Sequence, residues 1–541
     1  MGRQAIDYSV YLVTGREFLP PGKDYYESLE ESLQGGVTLV QVREKNADTG
    51  EFIEIARKTK EICDRYNVPV LINDRIDVHL AVGTAGIHIG QTDCPLPLAR
   101  TLIGDDAIIG LSVSNVEQAT RAAQHSDILD YIGVGAVWPT GSKDTKGRKS
   151  LGPDGTGEIL DLIHGSGLEA VAIGGIHLPN LAQLLHGSVA PKSRDALAGI
   201  AIISDIVAST TPKEAAANLR LVVDSFKRSR QALKDEAGVF GGLGQKRAEV
   251  DAKKLAEKVQ ELMAVVKRET PLVHQMTNTV VVNDSANVTL AVGASPIMST
   301  HPRDVHDLSP AIGALLINFG TIGDKEGMKV AGRQANVNRK PLIFDPVAIG
   351  ATSYRREISE ELLAHWQPTI IKGNAAEIGA MAKSTEVASR GVDSVGSGFA
   401  DPGAVVKALA RKRAAIIVLT GEKDYISDGS VVIKISNGSH LLERITGSGC
   451  QAGSLIGCFA AAARLDYLAK NETKFEDDSQ LVQGDMLLAA VAGILVYTVA
   501  SEVAAARPDV KGPGTFRAAL IDELYNLTPD VVAEKAKLEI L

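Results

Sequence analysis

The chain has 541 residues, 45% of them hydrophobic and 23% charged, with 52 glycines and a formal net charge of −9. That length predicts about two to four domains, and the composition is that of a globular chain rather than a disordered or fibrous one. Net acidity without any clustered basic run excludes a nucleic-acid surface, although it leaves room for small anionic ligands, which need only local cations. Cys63, Cys94, Cys450 and Cys458 show no CxxC spacing, so neither a disulfide framework nor a zinc site is expected. The opening MGRQAIDYSVYLVTG lacks an apolar signal core, and no apolar run is expected to reach transmembrane length, so a cytoplasmic location is the simplest reading.

From Tyr8 to about Ile203 one theme repeats. The short runs YSVYLVT, TLVQVRE, VPVLIND, AGIHIGQ, IIGLSVS, YIGVGAV, EAVAIGG and GIAIISD alternate with amphipathic segments such as GEFIEIARKTKEICDRY. Near-continuous apolar strands alternating with helices imply parallel βα units. Eight of them over about 210 residues predict a (β/α)8 TIM barrel, with an open doubly wound sheet as the alternative. A helix begun by Thr-Pro follows, in STTPKEAAANLRLVVDSFKRSRQALKDE, and then the glycine cluster AGVFGGLGQKRAEV. The expected domains are therefore residues 1–235, a Gly-rich linker at 236–250, and a second domain at 251–541. In that second domain the runs ALLINFG, PLIFDPV, TIIKGN, IIVLTGE and VVIKIS predict a three-layer α/β/α fold on a mainly parallel sheet.

Barrel enzymes place their sites where strands end. Polar residues fall there repeatedly: Gln41, Arg43 and Lys45 after the second run, Asn73 and Asp74 after the third, Asp93 after the fourth and Ser112 after the fifth. Thr140, Ser142 and Lys143 follow the sixth, Gly174 and Gly175 the seventh, and Ile203 and Ser204 close the eighth. Singly, each has an ordinary reading: Arg43 and Glu44 as a rim ion pair, Asn73-Asp74 as a helix cap. Together they make chemical sense. Asp74 and Asp93 suit a hard cation such as Mg2+. Arg43, Lys45 and Lys143 offer cationic donors to phosphate, and the glycines offer backbone N–H groups. The set predicts a diphosphate substrate with Mg2+, and a second phosphate at the glycine turn.

The motifs QVREK, INDR, GIHIGQTD, GLSVSN, PTGSK, AIGGI and IISDI, in that order over about residues 8–210, resemble thiamine-phosphate synthase. The resemblance implies coupling of 4-amino-2-methyl-5-hydroxymethylpyrimidine diphosphate to thiazole phosphate, with diphosphate leaving first. It implies that Asp74 and Asp93 bind Mg2+, and that Gln41, Arg43, Lys45, Asn73, Ser112 and Lys143 hold the pyrimidine diphosphate. Thr140, Ser142, Gly175, Ile203 and Ser204 would face the thiazole phosphate. Lys143 would also help the leaving group depart by neutralising its charge.

In the second half, LVHQMTNTVVVNDSANVTLAVGASPIM supplies Met276 and Met298 as apolar candidates for a small ring, although Met is often core filler. Asp345 ends one strand run, Lys372, Asn374 and Glu377 follow another, and Thr420 a third. The N-x-x-E spacing of Asn374 and Glu377 has magnesium–phosphate precedent, but it is also a simple helix start. ITGSGC aims the N–H groups around Gly447, Ser448 and Gly449 at one point, where a phosphoryl group in transfer would be stabilised.

ASPIM, DPVAIGAT, GNAAEI, TGEKD, TGSGC and KGPGTF, over about residues 255–535, resemble hydroxyethylthiazole kinase. The resemblance implies ATP-dependent phosphorylation of the thiazole alcohol and a ribokinase-like fold. Met298 and Gly447 would lie at the thiazole, Lys372, Asn374 and Thr420 at ATP, and Asp345 and Glu377 near Mg2+. Cys450 would stand where ribokinase-like kinases carry their aspartate base, and a helix N-terminus would lower its thiol. The resemblance also implies a homo-oligomer, trimer-based through the kinase half, and small-molecule partners; net charge and the lack of an apolar span point to neither nucleic acid nor membrane as a partner. The fused order, synthase first, is that of fungal bifunctional enzymes. Two rivals stand: a barrel acting on another phosphosugar or diphosphate fused to a kinase for another vitamin alcohol, and a catalytically dead kinase-like scaffold that drives oligomerisation beside an active synthase barrel.

Overall fold

A computed structural model describes residues 5–141, 150–232, 251–384, 388–390, 393–395, 398–471 and 481–541. The chain separates into two compact units, one ending at Gln231 and the other starting at Ala232. The linker expected at 236–250 lies outside the described residues, as do Ser142 and Lys143.

The first unit is the expected closed barrel. Its strands are β1 (Val10–Val13), β2 (Leu39–Val42), β3 (Val70–Asn73), β4 (Gly86–Ile89), β5 (Ile108–Val113), β6 (Tyr131–Gly135), β7 (Glu169–Ile173) and β8 (Gly199–Ile202), paired in that order, with β8 returning to β1 in parallel. Side chains alternate along each strand. Val10 and Leu12 pack outward under the helices, while Tyr11, Val13, Leu39, Leu71, Tyr131 and Val171 fill the interior. The helix Thr49–Asp64 buries Phe52, Ile55, Ala56, Thr59 and Cys63, the 3.6-residue stripe visible in its sequence. A fully buried Phe or Ile of this kind contributes about 1.5–3 kcal/mol.

The second unit is built on a nine-stranded sheet. Its strands are β9 (Leu272–Met276), β10 (Ser295–Ile297), β11 (Ala314–Asn318), β12 (Leu342–Asp345) and β13 (Ile370–Asn374), then, beyond a small β14–β15 ribbon (Ala388–Arg390 and Asp393–Val395), β16 (Ile416–Thr420), β17 (Asp424–Ser427), β18 (Val432–Ile435) and β19 (Leu538–Ile540). The order is β10-β9-β11-β12-β13-β16-β17-β18-β19, parallel as far as β16 and antiparallel beyond it. Helices Lys325–Val337, Ser353–His365 and Pro402–Arg413 cover one face through a core containing Phe319, Phe344 and Trp366. Ser448–Lys470 packs on the other face, with Met486–Ala505 and Ala252–Glu269 beside it. The result is the predicted three-layer arrangement. Sequence reading missed β9, β10, β17 and β19, which are short and lack a clear alternation.

One expectation needs correction. Met486–Ala505, with a mean hydropathy of 2.0, is long and apolar enough to cross a membrane by those measures alone. Its apolar window is 83% buried inside the second unit, so its hydrophobicity on all sides is explained by packing between helices.

Candidate active sites

In the barrel, Gln41 is buried, with Nε2 2.5 Å from the Tyr11 hydroxyl. The backbone N–H of Arg43 donates to Thr14 Oγ1 at 2.9 Å, and its guanidinium reaches Glu17 at 3.4 Å. The rim pair expected between Arg43 and Glu44 does not form, because Arg16 takes Glu44 through two bonds of 2.9 Å. Lys45 is exposed. Ser112 Oγ lies 2.9 Å from His88 Nε2.

Asp74 follows β3 directly, in the left-handed region with φ 62°. Burial pushes its carboxyl up to about 6, and Asp93 adds to this through a hydrogen bond and its charge, while Lys45 and Asn73 pull the other way. Asp93 is tied to the chain by the Gly90 N–H at 2.6 Å. A carboxyl held up by burial and by a neighbouring carboxylate belongs to a donor set that a divalent cation would relieve. Among the described residues no group of three or more His, Cys, Asp or Glu side chains converges.

The loop after β6 is bound to the glycine turn after β7. Val137 N–H donates to Ile173 O and Trp138 N–H to Gly174 O, each at 3.1 Å. Gly174 and Gly175 have φ of 100° and 67°, and a Cβ on Gly175 would stand 2.7 Å from Pro139 O. This close approach lays the Thr140 stretch against the turn and requires glycine there. Ile203 and Ser204 lie half-buried at the end of β8.

In the second unit the parallel register places Asn318 opposite Asp345 and Asn374 opposite Thr420, so the strand ends form a row. Lys372 Nζ lies 3.1 Å from Asp345 Oδ2 and 3.0 Å from Gly449 O, with both side chains fully enclosed. Burial opposes the Lys372 charge, but Asp345 and Glu377 outweigh it and hold the ammonium protonated. Burial pushes Asp345 up, against the pull of Lys372 and Asn318. Burial and Asp345 together push Glu377 up to about 7. Asp345 Oδ1 is buried without a hydrogen-bond partner among the described residues, an orphaned acceptor that a cation or donor would satisfy.

Asn374 and Glu377 form a reciprocal capping box. Asn374 Oδ1 accepts from the Glu377 N–H at 3.0 Å, and Glu377 Oε2 accepts from the Asn374 N–H at 2.8 Å. The other Glu377 oxygen accepts from the Ala348 N–H at 2.9 Å, so the helix-start reading of this motif holds in the structure.

Cys450 occupies the first turn of Ser448–Lys470, whose cap Gly447 has φ 81°. A Cβ on Gly447 would come within 2.2 Å of Val281 Cγ1. Sγ accepts from Asn318 Nδ2 at 3.1 Å and from Asn278 Nδ2 at 3.4 Å. The lowered thiol expected from the helix N-terminus is not found. Burial and the nearby Asp345 push it up to about 11, against Lys372 and the two amides. Met276 is core, while Met298 is half-buried beyond β10.

Matches to known proteins follow the same division. The thiamine monophosphate synthase family model matches residues 10–206, and the hydroxyethylthiazole kinase family model matches residues 263–474. The chain is 38% identical over 555 residues to the probable thiamine biosynthetic bifunctional enzyme of Schizosaccharomyces pombe, covering 99% of each chain. The chain belongs to the family of bifunctional thiamine biosynthetic enzymes. Within that family it is also 34% identical to the thiamine biosynthetic bifunctional enzyme of Saccharomyces cerevisiae, over 98% of each chain. The hydroxyethylthiazole kinase of Desulforudis audaxviator matches 52% of this chain at 40% identity, over 94% of its own length. The dead-scaffold alternative finds no support in these matches.

As a bifunctional thiamine enzyme the chain has several site neighbours that sequence reading passed over. Asn318 stands at a strand end, as Asp345 does, and the same rule would have found it. Asn278 lay in a segment read only for its methionines. Tyr11, His88 and Tyr131 sit inside apolar runs, where a polar residue on the inward phase was the available signal.

Proposed function

We propose that the second unit phosphorylates 4-methyl-5-(2-hydroxyethyl)thiazole with ATP, and that the barrel couples the resulting thiazole phosphate to 4-amino-2-methyl-5-hydroxymethylpyrimidine diphosphate, giving thiamine phosphate and diphosphate. The observation that carries this is the whole-length match to bifunctional thiamine enzymes, with a polar site at the strand ends of each unit.

In the barrel, Asp74 and Asp93 hold Mg2+, which neutralises diphosphate charge when bound. Arg43, Lys45, Asn73 and Lys143 bind the diphosphate, and Gln41 and Ser112 orient the pyrimidine. Gly175, Thr140, Ser142, Ile203 and Ser204 take the thiazole phosphate. The carboxylate pair fits this role because burial and the neighbouring Asp93 oppose the ionisation of Asp74.

In the second unit, Lys372, Asn374 and Thr420 contact ATP, and Met298 and Gly447 the thiazole. Asp345 and Glu377 serve Mg2+. Asp345, with an unpartnered buried oxygen, fits that role better than Glu377, whose two oxygens both accept backbone N–H groups. With its thiol at about 11, Cys450 is protonated at neutral pH and acts mainly by positioning the alcohol. Phosphoryl transfer tolerates this, because its loose transition state depends on placement and charge neutralisation. The functional state is a homo-oligomer, trimer-based through the kinase unit, in the cytoplasm.

The test follows thiamine phosphate formation by the full chain with Mg2+. Thiazole alcohol should require ATP, thiazole phosphate should bypass it, and chelation should stop both routes. Product from neither thiazole source would overturn the proposal. Cys450→Ala should slow the ATP-dependent route by about 10²-fold, the size of a misplaced reacting group, without abolishing it. Cys450→Asp should remain active, and a folded but wholly inactive Cys450→Asp chain would contradict the positioning role.

A further inference from the structure

The barrel interior contains a continuous run of polar side chains drawn from five strands. Gln41 Nε2 on β2 is 2.5 Å from the Tyr11 hydroxyl on β1. The Tyr11 and Tyr131 hydroxyls are 2.9 Å apart, with Tyr131 on β6. Tyr131 Oη is 2.8 Å from His88 Nδ1 on β4, and His88 Nε2 is 2.9 Å from Ser112 Oγ on β5. Gln41, Tyr11 and Tyr131 are buried, and burial pushes both phenols well above their ordinary values, so they stay neutral. The strands are cut back to admit the rings. A Cβ on Gly110 would lie 2.1 Å from the Tyr131 ring, and one on Gly133 would lie 3.1 Å from the His88 ring.

Each hydroxyl has one hydrogen, so a run of this kind has a direction. The Gln41 amide donates to Tyr11, which must then donate to Tyr131, and Tyr131 to His88 Nδ1. A His88 ring with one hydrogen then carries it on Nε2 and gives it to Ser112, whose own hydrogen is left for a ligand. Turning the Gln41 amide over reverses every bond. Oε1 would then accept from Tyr11, and at the far end Ser112 would donate to His88. The donor or acceptor character of Gln41 and that of Ser112 are therefore set together.

An amide side chain reads a heteroaromatic edge through two parallel bonds, one accepted and one donated, as Gln does with adenine. With one amide hydrogen used inward at Tyr11, Oε1 and the second N–H are left to form the outward edge, in an order set by the inward bond. We propose that Tyr11, Tyr131 and His88 are positioning residues that lock this order, so that the barrel takes a 4-aminopyrimidine and rejects a 4-oxopyrimidine. The two rings present opposite edges. The amino form offers a ring-nitrogen acceptor beside an amino donor, whereas the oxo form offers a ring N–H donor beside a carbonyl acceptor. Facing the locked amide, the oxo form meets donor with donor and acceptor with acceptor, and pairs left unmade in a buried site are costly. The inference rests on the proposed role of Gln41 at the pyrimidine.

The test compares kcat/KM of the full chain for the 4-amino pyrimidine diphosphate and its 4-oxo analogue, with thiazole phosphate as the second substrate. Wild type should strongly prefer the amino form. Tyr11→Phe frees the amide to turn, and should lower that preference by about tenfold or more, the size of one mispaired hydrogen bond. Tyr131→Phe cuts the same run further along and should act in the same way. The double variant should be little worse than either single one, because one break already releases the direction. An unchanged KM for thiazole phosphate shows that the site remains assembled. Wild-type discrimination in either active Phe variant would overturn the relay alone. A wild-type chain that couples neither pyrimidine would overturn the substrate reading, and the relay with it.

Discussion

The two units keep polar groups inside a protein core in opposite ways. The barrel strings hydroxyls, an imidazole and an amide into one run, Gln41 to Ser112, with no carboxylate, lysine or arginine as a member. The second unit buries charges: Lys372 against Asp345, with Glu377 near by and Asn318 bridging Asp345 to Cys450. A neutral run costs little to bury when every member is bonded, and its value lies in direction. A buried ion pair is expensive to desolvate and depends on both partners being present. Coupling around a diphosphate needs an oriented ring, whereas phosphoryl transfer needs charge held close to the reacting group, and each interior suits its task.

The largest effect expected from this contrast is in the second unit. Lys372→Met leaves Asp345 buried without its cation and should destabilise that unit by about 3–5 kcal/mol, with loss of kinase turnover. Coupling of supplied thiazole phosphate should survive. Adding Asp345→Asn should recover part of the stability in urea unfolding, and equal loss in the single and double variants would break the ion-pair account. An intermediate effect is expected in the barrel. Gly110→Ala drives a methyl into the Tyr131 ring and should cost about 1–3 kcal/mol through overpacking. Its synthase rate should fall while kinase turnover holds, and a fully stable, fully active variant would show that the ring is not fixed.

The smallest effect concerns Asp424, missed by sequence reading. Burial pushes it up to about 7 although Gly421 N–H donates to it at 3.1 Å. A folded value above the ordinary 3.8 means that the fold favours the protonated form. Its contribution is complete below about pH 4 and is lost as the pH rises through about 7. Asp424→Asn should therefore match wild type in thermal unfolding at pH 4 and exceed it at pH 8. Parallel curves at both values would remove Asp424 as a source of pH dependence.

The barrel was readable because its signal is local and repeated. Each βα unit carries its own apolar run, and each run ends in polar or glycine residues at the strand end, as at Asn73-Asp74 and Gly174-Gly175. In the second unit Asp345 and Thr420 end their strands in the same way, whereas Lys372, expected after a strand, lies in the middle of β13. The antiparallel edge of that unit, β17 and β19, was not readable, because strands of three or four residues show too little alternation to stand out.

By itself the sequence determined two α/β units, their order, and the residue types at nearly every strand end, since hydrophobic period and turn chemistry are properties of neighbouring residues. Tertiary structure alone decided what those residues meet. Tyr11 and Tyr131 are 120 positions apart and touch because a barrel closes on itself. Asn278 and Asn318 reach Cys450 across more than a hundred residues, and the burial that gathers them there also raises its thiol, reversing what the helix N-terminus alone would do. Burial depends on the whole fold, so charge state and hydrogen-bond direction, on which the chemistry depends, are settled only once the chain has closed around them.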